Sequence, residues 1–237
     1  MSFPDFNASD AHIQWQRFCD LSWYHDDLGI WLDISRMHVN ASDLQQLRPR
    51  MDKAFTAMQE LEAGAIANPD EQRQVGHYWL RTPELAPSSE LQQHISREID
   101  LIAAFGRDVI NGTIKAPNGE AFTDVLWIGI GGSGLGPALM IKALQNPGEG
   151  LPFHFFDNVD PNGMSNVLAG LEGRLDRTLV VTVSKSGGTP EPHLGMEQAR
   201  HRLEAAGGQW AGQAVAVTML DSCLLYTSPS PRDSTFS

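Results

Sequence analysis

Apolar positions along the chain change character near residue 124. Before it they recur mostly at helical spacing; after it, short continuous apolar runs alternate with helix-like stretches. Met51, Phe55, Met58 and Leu61 share one helical face, with Pro49 suited to a first turn and Gly64 to the stop. Ser89 and Gln92 stand in capping-box spacing ahead of Leu91, Ile95, Ile99, Ile102 and Phe105, which predicts a second helix. One run in this part, LGIWLDI at 28–34, reads as a strand. The aromatics of HYWLR, at 77–81, are expected in a core, because Tyr78 and Trp79 are large enough to dominate local burial.

Beyond residue 124 the pattern predicts strands at 125–130, 152–156, 178–183 and 214–219. Helices are expected between and after them, at 135–144, 163–171 and 191–206. Such alternation builds βαβ units, and near-continuous apolar runs such as LVVTV suit strands buried on both sides. The fold class expected is α/β: a doubly wound parallel sheet in a three-layer αβα sandwich, behind a helical N-terminal extension. The expected division is a mainly helical extension at 1–122 and a sheet domain at 123–222. Residues 223–237, CLLYTSPSPRDSTFS, lack periodicity and follow a strand that should open another loop and helix. They read as a disordered or foreign tail, and the natural chain is expected to continue past Ser222.

Composition narrows the function classes. A chain of 237 residues with 41% hydrophobic and 19% charged residues can bury an ordinary core. The formal net charge of −12 argues against nucleic acid, which demands a concentrated positive field. An anionic ligand must then be held by local N–H groups, hydroxyls and one or two cations. Cys19 and Cys223 make neither a disulfide framework nor metal-ligand spacing. With no signal-peptide pattern and no apolar run of membrane-spanning length, the expected location is the cytoplasm.

The chemistry concentrates in two loops that each end an apolar run: VLWIGIGGSGLGP at 125–137 and LVVTVSKSGGTPEP at 179–192. A strand, a loop of small residues and a helix start form the usual grip on a phosphate. Gly129, Gly131 and Gly134 satisfy G-x-G-x-x-G, and Asp157 stands where a ribose-binding acid could lie, so a nucleotide-dependent oxidoreductase is one reading. Gly132 and Ser133 suit direct approach to an anion instead. In the second loop Ser184, Lys185, Ser186 and Thr189 crowd three hydroxyls and an ammonium around Gly187 and Gly188, whose N–H groups are expected to be free for a compact phosphate. Thr189 reads as a helix N-cap, Pro190 as the first helical residue and Glu191 as a first-turn acid. His154, His193 and Glu197 read as core or helix-surface residues, not catalytic ones.

GIGGSGLGP and VSKSGGTPEP, one βαβ unit apart, resemble the first sugar-isomerase (SIS) domain of the glucose-6-phosphate isomerase family. HYWLR and ELEAGAIANPDEQ resemble the N-terminal part of its bacterial, cyanobacterial-like branch. The resemblance implies that Gly132 and Ser133 contact the substrate phosphate. It implies the same for Ser184, Lys185, Ser186 and Thr189, which match the family's SKT-x-x-T signature with serine at 186 in place of threonine. It further implies interconversion of glucose 6-phosphate and fructose 6-phosphate through a cis-enediol, without metal or redox cofactor, and a homodimer when full length. The family's glutamate base, ring-opening histidine and lysine, and arginine come from segments after the first SIS domain, and nothing here maps onto them. A chain of this extent is therefore expected to be inactive alone. The alternative is a stand-alone SIS module that senses sugar phosphates and regulates a partner.

Overall fold

The computed structural model describes residues 3–146, 148–219 and 222–224. Two compact units divide between Ile95 and Ser96. Residues 96–122, which the sequence pattern groups with the extension, thus pack with the sheet.

In the first unit, helix α1 (Ala11–Leu21) is capped by Asp10, whose carboxylate accepts from the N–H groups of His12 and Ile13. Strands β1 (Ser22–His25) and β2 (Ile30–Asp33) form an antiparallel hairpin in the register Trp23 to Leu32 and Tyr24 to Trp31. The expected strand at 28–34 was only half of this hairpin. Leu28 and Gly29 belong to the turn, where Gly29 takes a positive φ of 62° and donates to His25 O at 2.8 Å. A second small hairpin joins β3 (Ile66–Asn68) and β4 (Arg73–Gln74). Four short strands thus stand beside the helices of this part, where the sequence pattern gives one.

Helix α2 (Ala41–Glu62) starts eight residues before Pro49, which lies inside it and not in its first turn. The start is fixed by a capping box: Asn40 Oδ1 accepts from Asp43 N–H at 3.0 Å, and Asp43 Oδ2 accepts from Asn40 N–H at 2.8 Å. Helix α3 (Ser89–Ile110) is likewise capped one residue earlier than expected, with Leu91 N–H donating to Ser88 Oγ. Trp79 is buried as anticipated, with Ala86 and Ile95, and its indole N–H donates to Glu62 O at 2.9 Å. The buried Arg17 spends its guanidinium on four carbonyls, those of Pro4, Ser35, Met37 and Val39, at 2.8–2.9 Å. These charge-assisted bonds keep the buried guanidinium from being left unpaired.

The second unit carries the four-stranded parallel sheet. In chain order its elements are β5 (Asp124–Ile128), α4 (Gly132–Leu144), β6 (Phe153–Phe156), α5 (Pro161–Gly170), β7 (Thr178–Val183), α6 (Pro190–Ala205), α7 (Trp210–Gln213) and β8 (Ala214–Val217). The strand order β6-β5-β7-β8 puts the first strand inside the sheet. Because parallel crossovers are right-handed, the step from β5 to β6 and the steps from β6 to β7 and β7 to β8 lay their helices on opposite faces. Leu168 of α5, Met196, Ala199 and Leu203 of α6, and Trp210 of α7 pack on Leu126, Ile128 and Val180. On the other face Val109 of α3, Ala116 and Phe122 pack on Val125, Leu179, Val181 and Val215. The αβα sandwich is therefore present. Leu224, assigned from sequence to the tail, is buried in the first of these cores; the remaining tail positions, 225–237, lie outside the described residues.

One charged group sits under the sheet. Asp124, fully buried at the amino end of β5, is 2.9 Å from His154 Nε2 and 3.3 Å from Arg174 Nη1, and accepts from the Thr123 hydroxyl at 2.8 Å. His154 is thus a structural partner, and His193 and Glu197 are exposed on α6.

Candidate phosphate-binding site

The site begins with strand register. Ile128 of β5 pairs with Thr182 of β7, so both glycine loops leave the carboxyl ends of adjacent strands. The chain turns from β5 outward to β6 on one side, while β7 lies on the other. That makes β5/β7 the point where strand order reverses, the place where open α/β sheets hold ligands.

The first loop is tighter than the sequence suggests. Helix α4 begins at Gly132, three residues before the expected start, with Gly131 as its N-cap at φ 53°, ψ −128°, a conformation that side chains with a Cβ avoid. Gly134 lies against the strand end, where an added Cβ would fall 2.3 Å from Gly129 O. The third glycine therefore serves close strand-to-helix packing. Gly132 and Ser133 occupy the first turn of α4, with Gly132 exposed and Ser133 half-buried. Ser133 N–H donates to Ile130 O at 3.0 Å, and its carbonyl accepts from the Trp127 indole at 2.8 Å. The Trp127 contact, which fixes this turn, had no signal in the sequence beyond an aromatic in a strand.

The second loop contains the densest set of hydroxyls. Ser184 is buried, Lys185 and Ser186 are exposed, and Thr189 is half-buried. Thr189 is the N-cap residue of α6, yet its side chain makes no capping bond. Pro192, at the third helical position, has no N–H, so one of the two usual partners of a cap is missing. The Thr189 hydroxyl instead accepts from Ser184 Oγ at 3.3 Å. The glycine N–H groups expected to be free are used within the loop. Gly187 N–H donates to Ser184 O at 3.2 Å and Gly188 N–H to Ser186 Oγ at 3.3 Å.

The loop is also held from β8. Ser184 N–H donates to Val217 O, and Lys185 O accepts from Met219 N–H at 3.2 Å and from the Thr218 hydroxyl at 3.4 Å. Gly187, at φ 70°, sits so close to the following segment that an added Cβ would fall 2.8 Å from Leu224 N. Thr218 was missed because its role comes from strand adjacency, which no local motif encodes. The structure thus gathers Ser184, Lys185, Ser186 and Thr189 in one braced loop, and sets Gly132 and Ser133 on the neighbouring strand's loop.

Residues 33–222 match the family described as Phosphoglucose isomerase. The chain belongs to the phosphoglucose isomerase family. Over 224 residues, 94% of the chain, it is 97% identical to the glucose-6-phosphate isomerase of Synechococcus sp. (strain CC9605). It is 52% identical, over the same share, to that of Prochlorococcus marinus (strain MIT 9211). Among solved structures, the crystal structure of a glucose-6-phosphate isomerase from Chlamydia trachomatis D/UW-3/Cx superposes with a TM-score of 0.76 at 28% identity, covering 96% of this chain and 44% of that one. The chain spans about 42% of the length of either curated relative. Membership in the phosphoglucose isomerase family leaves the nucleotide-dependent oxidoreductase reading without support.

Proposed function

We propose that this chain provides the phosphate-gripping part of an aldose–ketose isomerase that interconverts glucose 6-phosphate and fructose 6-phosphate in glycolysis and gluconeogenesis. The observation that carries the proposal is the pairing of two hydroxyl-bearing loops at the β5/β7 switch point. In this reading Gly132 and Ser133 meet the phosphate from one side, and Ser184, Lys185, Ser186 and Thr189 from the other. Lys185 supplies the positive charge that a chain of net charge −12 does not offer generally. With the glycine N–H groups of 187 and 188 engaged internally, hydroxyls and the ammonium bear most of the anion's hydrogen bonding.

The same inventory separates binding from catalysis. Isomerisation opens the sugar ring and moves a proton between C1 and C2 through a cis-enediol; it balances by proton transfer alone. That work needs groups that exchange protons near neutral pH. Serine and threonine hydroxyls do not. In this reading, which follows the family resemblance, the acid–base groups lie in polypeptide beyond residue 222, and this chain alone binds without turning over. Residues 123–222 act as the first SIS domain behind the extension at 1–122. The full-length protein works as a cytoplasmic homodimer on the two hexose 6-phosphates. Among the described residues no helix is long and apolar enough to cross a membrane.

Calorimetry and a coupled turnover assay test this together. The chain is expected to bind fructose 6-phosphate but not fructose, and Lys185→Ala or Ser186→Ala should weaken that binding about tenfold, as loss of one charge-assisted hydrogen bond does. Equal binding of fructose, or isomerase turnover by the 237 residues, would overturn the corresponding half.

A further inference from the structure

We infer that Thr218, backed by Ser222, is a positioning residue for the second loop: the two hydroxyls fix the peptide plane between Lys185 and Ser186, and with it the way the loop meets an anion. The role rests on the reading of that loop as a phosphate site. Beyond β7 the parallel pairing continues for one more step, with Ser184 N–H donating to Val217 O and Met219 N–H to Lys185 O. A carbonyl oxygen has room for a second donor. Thr218 Oγ1 takes that place, 3.4 Å from Lys185 O. Threonine hydroxyls that bond backbone usually do so within a few residues of themselves. This one reaches a carbonyl 33 residues earlier in the chain.

Ser222 completes the arrangement. Its Oγ lies 2.8 Å from Thr218 Oγ1. Each hydroxyl has one hydrogen, so Thr218 gives its own to Lys185 O while Ser222 donates to Thr218. Ser222 is held in place for this: it is buried, and its N–H bonds Met219 O at 3.2 Å. It also lies against the loop, where a Cβ on Gly187 would fall 3.0 Å from Ser222 Cβ and Oγ.

The effect on the site follows from peptide planarity. The peptide joining Lys185 to Ser186 is trans, so its C=O and N–H point in opposite directions. With the oxygen held toward β8 by two donors, the Ser186 N–H is turned away from β8. Unlike those of Gly187 and Gly188, that N–H has no acceptor among the described residues. The same plane contains both Cα atoms, so fixing it fixes where the Lys185 and Ser186 side chains start. A loop set in this way before its ligand arrives loses less freedom on binding.

Calorimetry with fructose 6-phosphate and amide exchange read by NMR test this on the 237-residue chain and three variants, Thr218→Val, Thr218→Ser and Ser222→Ala. Valine keeps the shape of threonine and removes the hydroxyl; serine restores the hydroxyl without the methyl. Thr218→Val and Ser222→Ala are expected to weaken binding about fivefold, as loss of one neutral hydrogen bond does. Both should also speed exchange of the Gly187 amide, and Thr218→Ser should match the parent in both measurements. Unchanged binding in Thr218→Val overturns the inference even where exchange quickens, because the bond then serves only the fold. Thr218→Ser binding as weakly as Thr218→Val also overturns it, since the methyl and not the hydroxyl would then be at work. Weakening in Thr218→Val without weakening in Ser222→Ala removes Ser222 from the arrangement. If the parent chain fails to bind fructose 6-phosphate, the phosphate reading falls and the role at the site falls with it, while Gly187 exchange still reports whether the hydroxyls order the loop.

Discussion

Substituting Gly134 by alanine asks whether the first loop is built on close packing or only on a flexible turn. The added methyl would fall 2.3 Å from the backbone oxygen of Gly129 and near the Asp157 side chain. A carbon atom needs roughly 1 Å more room than that. The obstacle is backbone at the end of a buried strand, so the helix must move away from the sheet. Overpacking of this kind costs about 1–3 kcal/mol, and a rigid obstacle places the cost near the upper figure, about 3 kcal/mol. With a urea slope of about 2 kcal/mol per molar, the unfolding midpoint should drop by about 1.5 M. The control is Gly132→Ala, two residues away, where nothing lies within 4 Å of the added carbon and the change should stay within about 0.5 kcal/mol. Urea unfolding followed by far-ultraviolet circular dichroism compares the two. If both variants shift by the same amount, or Gly134→Ala shifts by less than about 0.3 M, the packing argument for the third glycine is refuted.

Three further outcomes are expected. Asp124→Ala removes the buried acceptor of His154, Arg174 and Thr123 and should cost about 2 kcal/mol in urea unfolding, moderated because Arg174 and His154 can reach water; an unchanged midpoint would show the cluster to be idle. Leu203→Ala empties a fully buried position between α6 and the sheet and should cost about 3 kcal/mol by the same measurement, whereas a cost below about 1 kcal/mol would mean the core collapses around it. The Asp33 carboxyl is held below its usual range by the Ser35 hydroxyl and the Ser35 N–H. A lowered folded value means the contribution is present above the unfolded value of about 3.9 and is lost as pH falls through the folded one. Amide exchange in the β1–β2 hairpin should therefore be unaffected by Asp33 between pH 7 and 5 and speed up only in stronger acid, and Ser35→Ala, which loses the hydroxyl but keeps the N–H bond, should shrink that step. An acid step of unchanged size in Ser35→Ala would assign it to another group.

How much of this was legible depends on whether the signal was local. Strand β7 was placed to the residue, because Thr178–Val183 is a run of β-branched residues interrupted by Leu179 and closed by a small-residue loop. Strand β5 ended two residues early because pairing stops at Ile128, where the chain turns into the glycine loop. Pro49 misled the reading of α2: proline is a strong marker, but the capping box at Asn40 and Asp43 outweighed it. The hairpin of β1 and β2 was halved because Trp23 and Tyr24 do not alternate with polar residues. At the site, the residue types of both loops were readable, since phosphate grips draw on few of them. Their hydrogen bonding was not. The fate of the Thr189 hydroxyl depends on Pro192 lacking an N–H and on Ser184 lying alongside, and the bracing of Lys185 O depends on which strand becomes the neighbour of β7.

The position of β5 has a consequence for how the chain comes to be folded. It is the first strand of its sheet to be made, and its partner β7 is encoded roughly fifty residues later, a long-range pairing of the kind that slows folding. At ordinary synthesis rates of about 5–20 residues per second, β5 waits on the order of several seconds with an unpaired edge of buried-type residues exposed. The ribosome thus releases the centre of the sheet after α3, which packs on one of its faces, but before β6 and β7, which pair with its edges. A chaperone that recognises short apolar extended segments should find its best binding site on the growing chain at Val125, Leu126, Trp127 and Ile128, and lose it when β7 emerges.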